Sequence, residues 1–213
     1  MIMAQIALVR HAETAWNREE VFRGRADIPL SDRGCKQASL LGQALAGRRI
    51  EAVYSSPLSR ARDTAEAIAA ALGVGVAVDE RLVDMNYGEW EGHPRREVEL
   101  RWPELYATWV NDPARFAAPG GETLSQVMER VRPALLEIAE RHRDGGAAVV
   151  SHRVICKLVL CWALGAGEEA FWRARVDTAS ISLLEAGPKG WVVVGSNDVC
   201  HLAALGEAAQ TDF

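Results

Sequence analysis

The chain has 213 residues, is 49% hydrophobic and 25% charged, and carries a formal net charge of −5. That is the make-up of a single globular domain over residues 1–213, and it lacks the polybasic bias of a nucleic-acid surface or an anionic-membrane binder. An anionic ligand must then be met by a local cluster of cations rather than by the field of the whole protein. No stretch is long and apolar enough to span a bilayer, and the first cation, Arg10, follows the apolar run instead of preceding it as in a signal peptide. Four cysteines, Cys35, Cys156, Cys161 and Cys200, show no C-x-x-C spacing. They read as buried reduced thiols of a cytoplasmic protein, and no Cys/His cluster has metal-site spacing.

Residues 4–9 read as a first strand that stops at Arg10 and His11. Residues 12–31 are polar, with Gly24 and Pro29 as breakers, and read as a loop. Ser31 fits an N-cap, with Cys35, Ala38, Leu41 and Leu45 at near-helical spacing and Gly47 closing the helix. A short strand follows at 52–55. Ser56-Pro57 then fits a cap with proline at N1, opening a helix to about Leu72. Val74 to Val78 is a third short strand.

Residues 86–121 hold three of the seven tryptophans and four prolines, and read as short helices and turns forming a lid insertion. Leu124, Val127, Val131, Leu135 and Ile138 mark an amphipathic helix from Glu122 to about Arg143, started by Thr123 or Gly121. Ala147 to Ser151 is a continuous apolar strand ending in His152, and an apolar helix covers Val154 to Leu164. Ile181–Leu184 and Trp191–Val194 read as an antiparallel pair across a Gly-Pro-Lys-Gly turn, and the tail from Ala204 as frayed. The alternation predicts a three-layer α/β/α sandwich with a mainly parallel sheet, an antiparallel strand and a helical lid.

In a parallel sheet the strand ends share one rim. Arg10 and His11, Arg60 in the opening turns of the second helix, and His152 then meet in one pocket, with helix N-termini adding N–H donors. Two arginine forks and two histidines suit a phosphate dianion.

The motifs around these residues are similar to those of the histidine phosphatase superfamily, in its phosphoglycerate mutase-like branch. Leu8-Val9-Arg10-His11-Ala12-Glu13-Thr14-Ala15-Trp16-Asn17 resembles the signature of that family. Asp27 to Gly34, Ser55 to Ala65, Gly88-Glu89-Trp90-Glu91-Gly92, Pro119 to Thr123 and Val150-Ser151-His152 resemble its later blocks, in order. The resemblance implies that His11 is the nucleophile, that Arg10, Arg60 and His152 clamp phosphate, and that Asn17 adds a hydrogen bond. It implies a carboxylic acid shortly before Gly88, where Asp84 stands in place of the commoner glutamate. Either Asp84 or Glu89 then gives the proton.

Arg153 follows His152 where glycine is usual, and either adds a guanidinium to the pocket or points outward. Arg23, beside Gly24, stands in reach of substrate. Extra positive charge suits a substrate with more than one anionic group. The resemblance implies a phosphatase acting on a small phosphorylated metabolite, without metal or other cofactor. A phosphoryl-transferring mutase and a non-catalytic phosphate-binding regulator are the alternatives. Specificity is expected in the lid, where Arg95, Arg96, Arg101, Trp102, Tyr106 and Trp109 lie; Tyr106, Trp109, Asn111 and Asp112 loosely resemble α-ribazole phosphatases. The exposed edge and final strands allow a homodimer.

Overall fold

The computed structural model describes residues 4–188 and 190–206. Its six strands are β1 (Ala4–Arg10), β2 (Ala52–Ser55), β3 (Val76–Val78), β4 (Gly146–Ser151), β5 (Ile181–Gly187) and β6 (Gly190–Asp198). They form one sheet in the order β3-β2-β4-β1-β5-β6. The first four are mutually parallel, β5 runs antiparallel to β1, and β6 antiparallel to β5.

Strand side chains alternate between faces, and here both faces are apolar. Ile6 and Leu8 of β1, with Ala147 and Val149 of β4, belong to one core cluster. Ala7, Val9, Ala148 and Val150 belong to the other. The first face is covered by α6 (Leu124–Arg141) and α7 (Arg153–Ala163), the second by α2 (Asp32–Leu45) and α3 (Ser59–Leu72). The helices that follow β1 and β2 therefore lie on one side, and the helix that follows β4 on the other. A crevice opens where neighbouring connections part in this way. The register sets Arg10 opposite Ser151, and Ser55 opposite Val150, so the three chain segments leave the sheet at one level.

The structure adds a short helix, α1 (Ala15–Arg18), inside the expected loop. Ser31 caps α2 by accepting from Gly34 N, as its position suggests. Ser56 does not cap α3. That helix begins at Ser59 with Leu58 as N-cap, and ends on Gly73 in the left-handed region. Thr123 and Gln126 make a reciprocal capping box on α6. Cys156 and Cys161 are buried, but Cys35 and Cys200 are exposed. Gln37, Ala38, Leu41 and Leu45 form the inner face of α2, which turns Cys35 outward.

The 86–121 segment contains α4 (Arg95–Arg101) and α5 (Pro103–Asn111) between 3-10 turns. It is built into the first-face core: Trp90, Val98, Trp109 and Phe116 are fully buried there. The Trp90 and Trp109 rings each lie 4.7 Å from Phe116. β5 and β6 run longer than the apolar pattern indicates, because pairing continues through Glu185 to Gly187 on one strand and Gly195 to Asp198 on the other. The 3-10 turn Cys200–Leu205 takes in Ala204 and Leu205, the first residues of the expected frayed tail, and Leu205 packs against the second-face core beside Leu202; residues 207–213 lie outside the described residues.

Candidate active site

His11 leaves β1 with its backbone held on both sides: its N–H donates to Ser151 O at 2.9 Å, and its carbonyl accepts from Ala179 N at 3.1 Å. Its Nδ1 lies 2.7 Å from the Ala12 carbonyl. A carbonyl only accepts, so Nδ1 carries the proton and Nε2 keeps its lone pair. Burial first, then the charges of Arg60, Arg10 and Arg23, hold this imidazole well below its ordinary pKa, so it stays neutral.

The arginines around it are anchored by neutral carbonyls. Fully buried Arg10 donates to Val176 O at 2.9 Å. Fully buried Arg60 donates to Ala26 O and Gly24 O at 2.8 Å each. Its second fork nitrogen also reaches Asp84 Oδ2 at 3.3 Å. Burial lowers the Arg60 pKa to about 10, which leaves the group charged at neutral pH. Arg23, also buried, donates to Trp16 O at 3.1 Å.

The ring of His152 lies 5.3 Å from that of His11. Its Nε2 meets Ser56 Oγ at 2.7 Å, and its Nδ1 stands 3.6 Å from Asp84 Oδ2 without a hydrogen bond. Burial, followed by the charge of Arg60, keeps His152 neutral as well. Asp84 is itself buried, with Oδ1 accepting from Met85 N at 2.9 Å, so Oδ2 is the oxygen turned toward Arg60 and His152.

The strand of chain carrying Asp84 is pinned from α6. Arg130 donates to the carbonyls of Arg81, Val83 and Asp84 at 2.8, 2.7 and 3.1 Å. Ser151 Oγ donates to Leu82 O at 2.8 Å. Asn17 is buried, and its Oδ1 accepts from both the N–H and the hydroxyl of Thr14 at 2.8 Å. That orients the amide with Nδ2 turned away from Thr14.

The structure thus brings together His11, Arg10, Arg60, His152 and Asp84. Arg23, Arg153, Asp84 and Tyr87 line one cleft beside them, so Arg153 points inward. Gly24 serves through its backbone. Its φ is +50°, its carbonyl holds Arg60, and a Cβ there would sit 1.9 Å from Glu91 Oε1. Glu89 does not join the group. The 3-10 turn Gly88–Trp90 sends Trp90 into the core and leaves Glu89 exposed, so of the two carboxylates only Asp84 faces the histidines.

Arg96 and Arg101 are exposed, Arg101 lying on the Trp102 ring at 4.4 Å and pairing with Glu97, while Arg95 pairs with Glu20. Sequence reasoning missed Ser56, Tyr87, Glu91 and Arg130. Ser56 carried a signal, but one that also fits a helix cap. Arg130 sits among polar helix positions and carried none. Buried Glu13 of the signature is structural, accepting from Arg18 at 2.7 Å and Ser31 Oγ at 2.7 Å. Among the described residues no cluster of His, Cys, Asp and Glu is suited to a metal ion, and no helix is long and apolar enough to cross a membrane.

Neutral imidazole, buried guanidiniums and a facing carboxyl can together accept a phosphoryl group and pass a proton. Comparison with known proteins agrees. The model of the histidine phosphatase superfamily (branch 1) matches residues 6–199. Phosphoserine phosphatase 1 of Hydrogenobacter thermophilus is 38% identical over 200 residues, covering 94% of this chain and 95% of that one. A phosphoserine phosphatase mutant from Entamoeba histolytica, solved with phosphoserine, superposes with a TM-score of 0.84 at 26% identity, over 94% of this chain and 100% of that one. A structure described as a putative α-ribazole-5′-P phosphatase from Escherichia coli gives 0.82 at 29% identity, over 92% and 96%. With nearly its whole length matched, and the motif residues gathered in one cleft, the chain belongs to the histidine phosphatase superfamily, branch 1.

Proposed function

We propose that the protein hydrolyses a small phosphomonoester through a phosphohistidine at His11. It is a phosphatase of its superfamily. His11 Nε2 attacks phosphorus in line while Nδ1–H stays on the Ala12 carbonyl. Arg10 and Arg60, with His152 and Asn17 Nδ2, hold the equatorial oxygens as charge develops. Asp84 takes up a proton as the phosphate anion enters beside it, and as the ester P–O bond breaks it gives that proton to the leaving alkoxide. Asp84, now a carboxylate, takes a proton from water as that water attacks phosphorus. His11 leaves with its lone pair restored, and inorganic phosphate is released. The arginines supply the electrostatic stabilisation, so no step of this scheme uses a metal.

The observation that carries the reading is the fixed tautomer of His11 among Arg10, Arg60 and His152. Burial, followed by the charge of Arg60, keeps His152 neutral in the free site. An arriving phosphate dianion favours its protonated form and makes it a donor.

The substrate class we infer is a phosphomonoester with a carboxylate, such as phosphoserine. Support comes from Arg23 and Arg153 in the same cleft as Asp84, and from the phosphoserine phosphatases the chain resembles. Cytoplasmic work on such a metabolite fits the four unpaired cysteines. Val192 and Val194, half exposed on the edge strand β6, support a homodimer.

Rapid quench with phosphoserine labelled on phosphorus should trap an acid-labile, base-stable phosphoryl group on His11, absent in His11→Ala. A His11→Ala protein with near-normal turnover would refute the covalent scheme. Conversion of 3-phosphoglycerate to 2-phosphoglycerate without phosphate release would assign the site to a mutase instead.

A further inference from the structure

Helix α7 carries two cations one turn apart, Arg153 and Lys157, and both rest on the same ring. The Arg153 guanidinium lies 5.8 Å from the Trp172 centroid and the Lys157 ammonium 4.8 Å from it. Phe171 adds a second ring at 5.2 Å from the ammonium. Both rings belong to the 3-10 turn Glu168–Arg173, which packs on α7. Lys157 is only 7% exposed. A lysine buried to that degree ordinarily has a carboxylate partner. Among the described residues no carboxylate lies within ion-pair distance of it, and aromatic faces meet its charge instead. The fold thus holds a second cation beside Arg153, and Arg153 lines the cleft with Asp84.

We propose that Lys157 is a specificity-determining residue: with Arg153 and their shared Trp172 it forms a second cation site, outside the phosphate clamp, that selects substrates bearing an anionic group besides the phosphate. This rests on the phosphatase reading above and deepens it.

The charged and titratable groups facing Lys157 come from three elements: Arg153 and Cys161 on α7 itself, Arg10 at the end of β1, and Asp177 in the loop before β5. The Asp177 carboxylate is already engaged by Arg175 and Asn197, each at 2.9 Å. Burial, then the repulsion of Arg153 and Arg10, brings the Lys157 ammonium down to about 7, with Cys161 and Asp177 opposing. The second site therefore gains its charge as pH falls through neutrality. An anion held by Arg153 should bind more tightly on the acid side.

The test compares KM for 3-phosphoglycerate with KM for glycerol 3-phosphate, an alkyl phosphate that has no second anion, between pH 6 and pH 8. The two alkyl phosphates ionise over nearly the same pH range, so that ionisation largely cancels in the ratio. For the wild-type protein the ratio should rise roughly three- to tenfold from the acid to the alkaline side, as a nearby unit charge is lost in a partly screened site. Lys157→Met should give the high ratio at every pH. Lys157→Arg, always charged, should give the low ratio at every pH. Lys157→Gln serves as a second charge-removing variant, and thermal melts confirm folding of each. Hydrolysis of both probes with a flat wild-type ratio, or a Lys157→Met protein that keeps the pH step, overturns the proposal alone. Failure of the wild-type protein to hydrolyse either probe overturns the phosphatase reading and this one with it.

Discussion

Asp84→Asn separates the two things Asp84 is placed to do. Asparagine keeps an oxygen for Met85 N, which Asp84 Oδ1 now meets at 2.9 Å. It then turns an amide NH2 toward Arg60 and His152, where Oδ2 stands at 3.3 and 3.6 Å. One charge-assisted contact to Arg60 is lost, worth about 1.5 kcal/mol at the long end of the distance range, or roughly tenfold in any step that needs Arg60 in place. That loss falls on every substrate alike. The transferable proton is also lost, and general acid catalysis contributes about 10²–10⁴-fold, but only where the leaving group needs the proton.

An alkyl phosphate such as phosphoserine leaves as a strongly basic alkoxide. Nitrophenolate leaves without help. The expected kcat loss is therefore about 10³-fold or more for phosphoserine and about tenfold for p-nitrophenyl phosphate. Phosphate release under saturating substrate, with both substrates on one preparation, measures it. Equal losses on the two would show that Asp84 only positions Arg60 and is not the acid.

Arg60→Ala should destabilise the protein by about 3–5 kcal/mol in urea unfolding, because the Gly24 and Ala26 carbonyls and the Asp84 carboxylate all lose a buried partner. A loss under about 1 kcal/mol would contradict that account. His11 and His152 are both held below the ordinary value of 6.5, so below that pH the unfolded chain takes up protons that the folded one refuses. Stability should then fall on acidification, by up to about 2.7 kcal/mol per pH unit for the two together. Urea unfolding between pH 7 and pH 5 reads this slope, and His152→Ala should reduce it; a slope unchanged in that variant would mean His152 is not neutral in the fold. Gly24→Ala forces a Cβ onto Glu91, which accepts from Arg25 N and Tyr87 N at 2.9 and 3.0 Å. Displacing the carbonyl that holds Arg60 should lower kcat about tenfold, with a stability loss of about 1–3 kcal/mol; wild-type kinetics in this variant would show that the Gly24 carbonyl does not set Arg60.

The layers of the fold were legible because the apolar period is written locally. The apolar run Ala147 to Val150 of β4 and the 3–4 spacing of Leu124 to Ile138 each admit one reading. The strand-end residues were legible for the same reason, since a run such as Ile6 to Val9 that ends in Arg-His announces a rim. Ser56 shows where local reading stops. A serine before proline fits a helix cap equally well, and what decides its role is His152, 96 residues away. Arg130 is a stronger case, because its partners are carbonyls 46 to 49 residues distant and carry no side-chain signature. Glu89 failed for a third reason: in a single 3-10 turn, neighbouring residues point about 120° apart, so burying Trp90 turned Glu89 outward.

In the proposed scheme one arrangement of charge accounts for both the nucleophile and the clamp. Arg10, Arg60 and Arg23 are at most 6% exposed, a placement costly to stability unless their donors are met. They are met by the carbonyls of Val176, Gly24, Ala26 and Trp16, which are neutral dipoles. These contacts meet N–H donors without setting a negative charge on them, and Arg60 also reaches Asp84 Oδ2 at 3.3 Å. Burial first, and then the charges of Arg60, Arg10 and Arg23, keep a proton off His11, which leaves Nε2 its lone pair, and in the proposed scheme the same charges attract the dianion. Replacing those carbonyl contacts with carboxylates would satisfy the arginines equally well, yet would protonate His11 and repel the phosphate. The backbone loops at 24–26 and 174–180, which carry no acid or base of the reaction, are therefore as necessary to the chemistry as His11 itself.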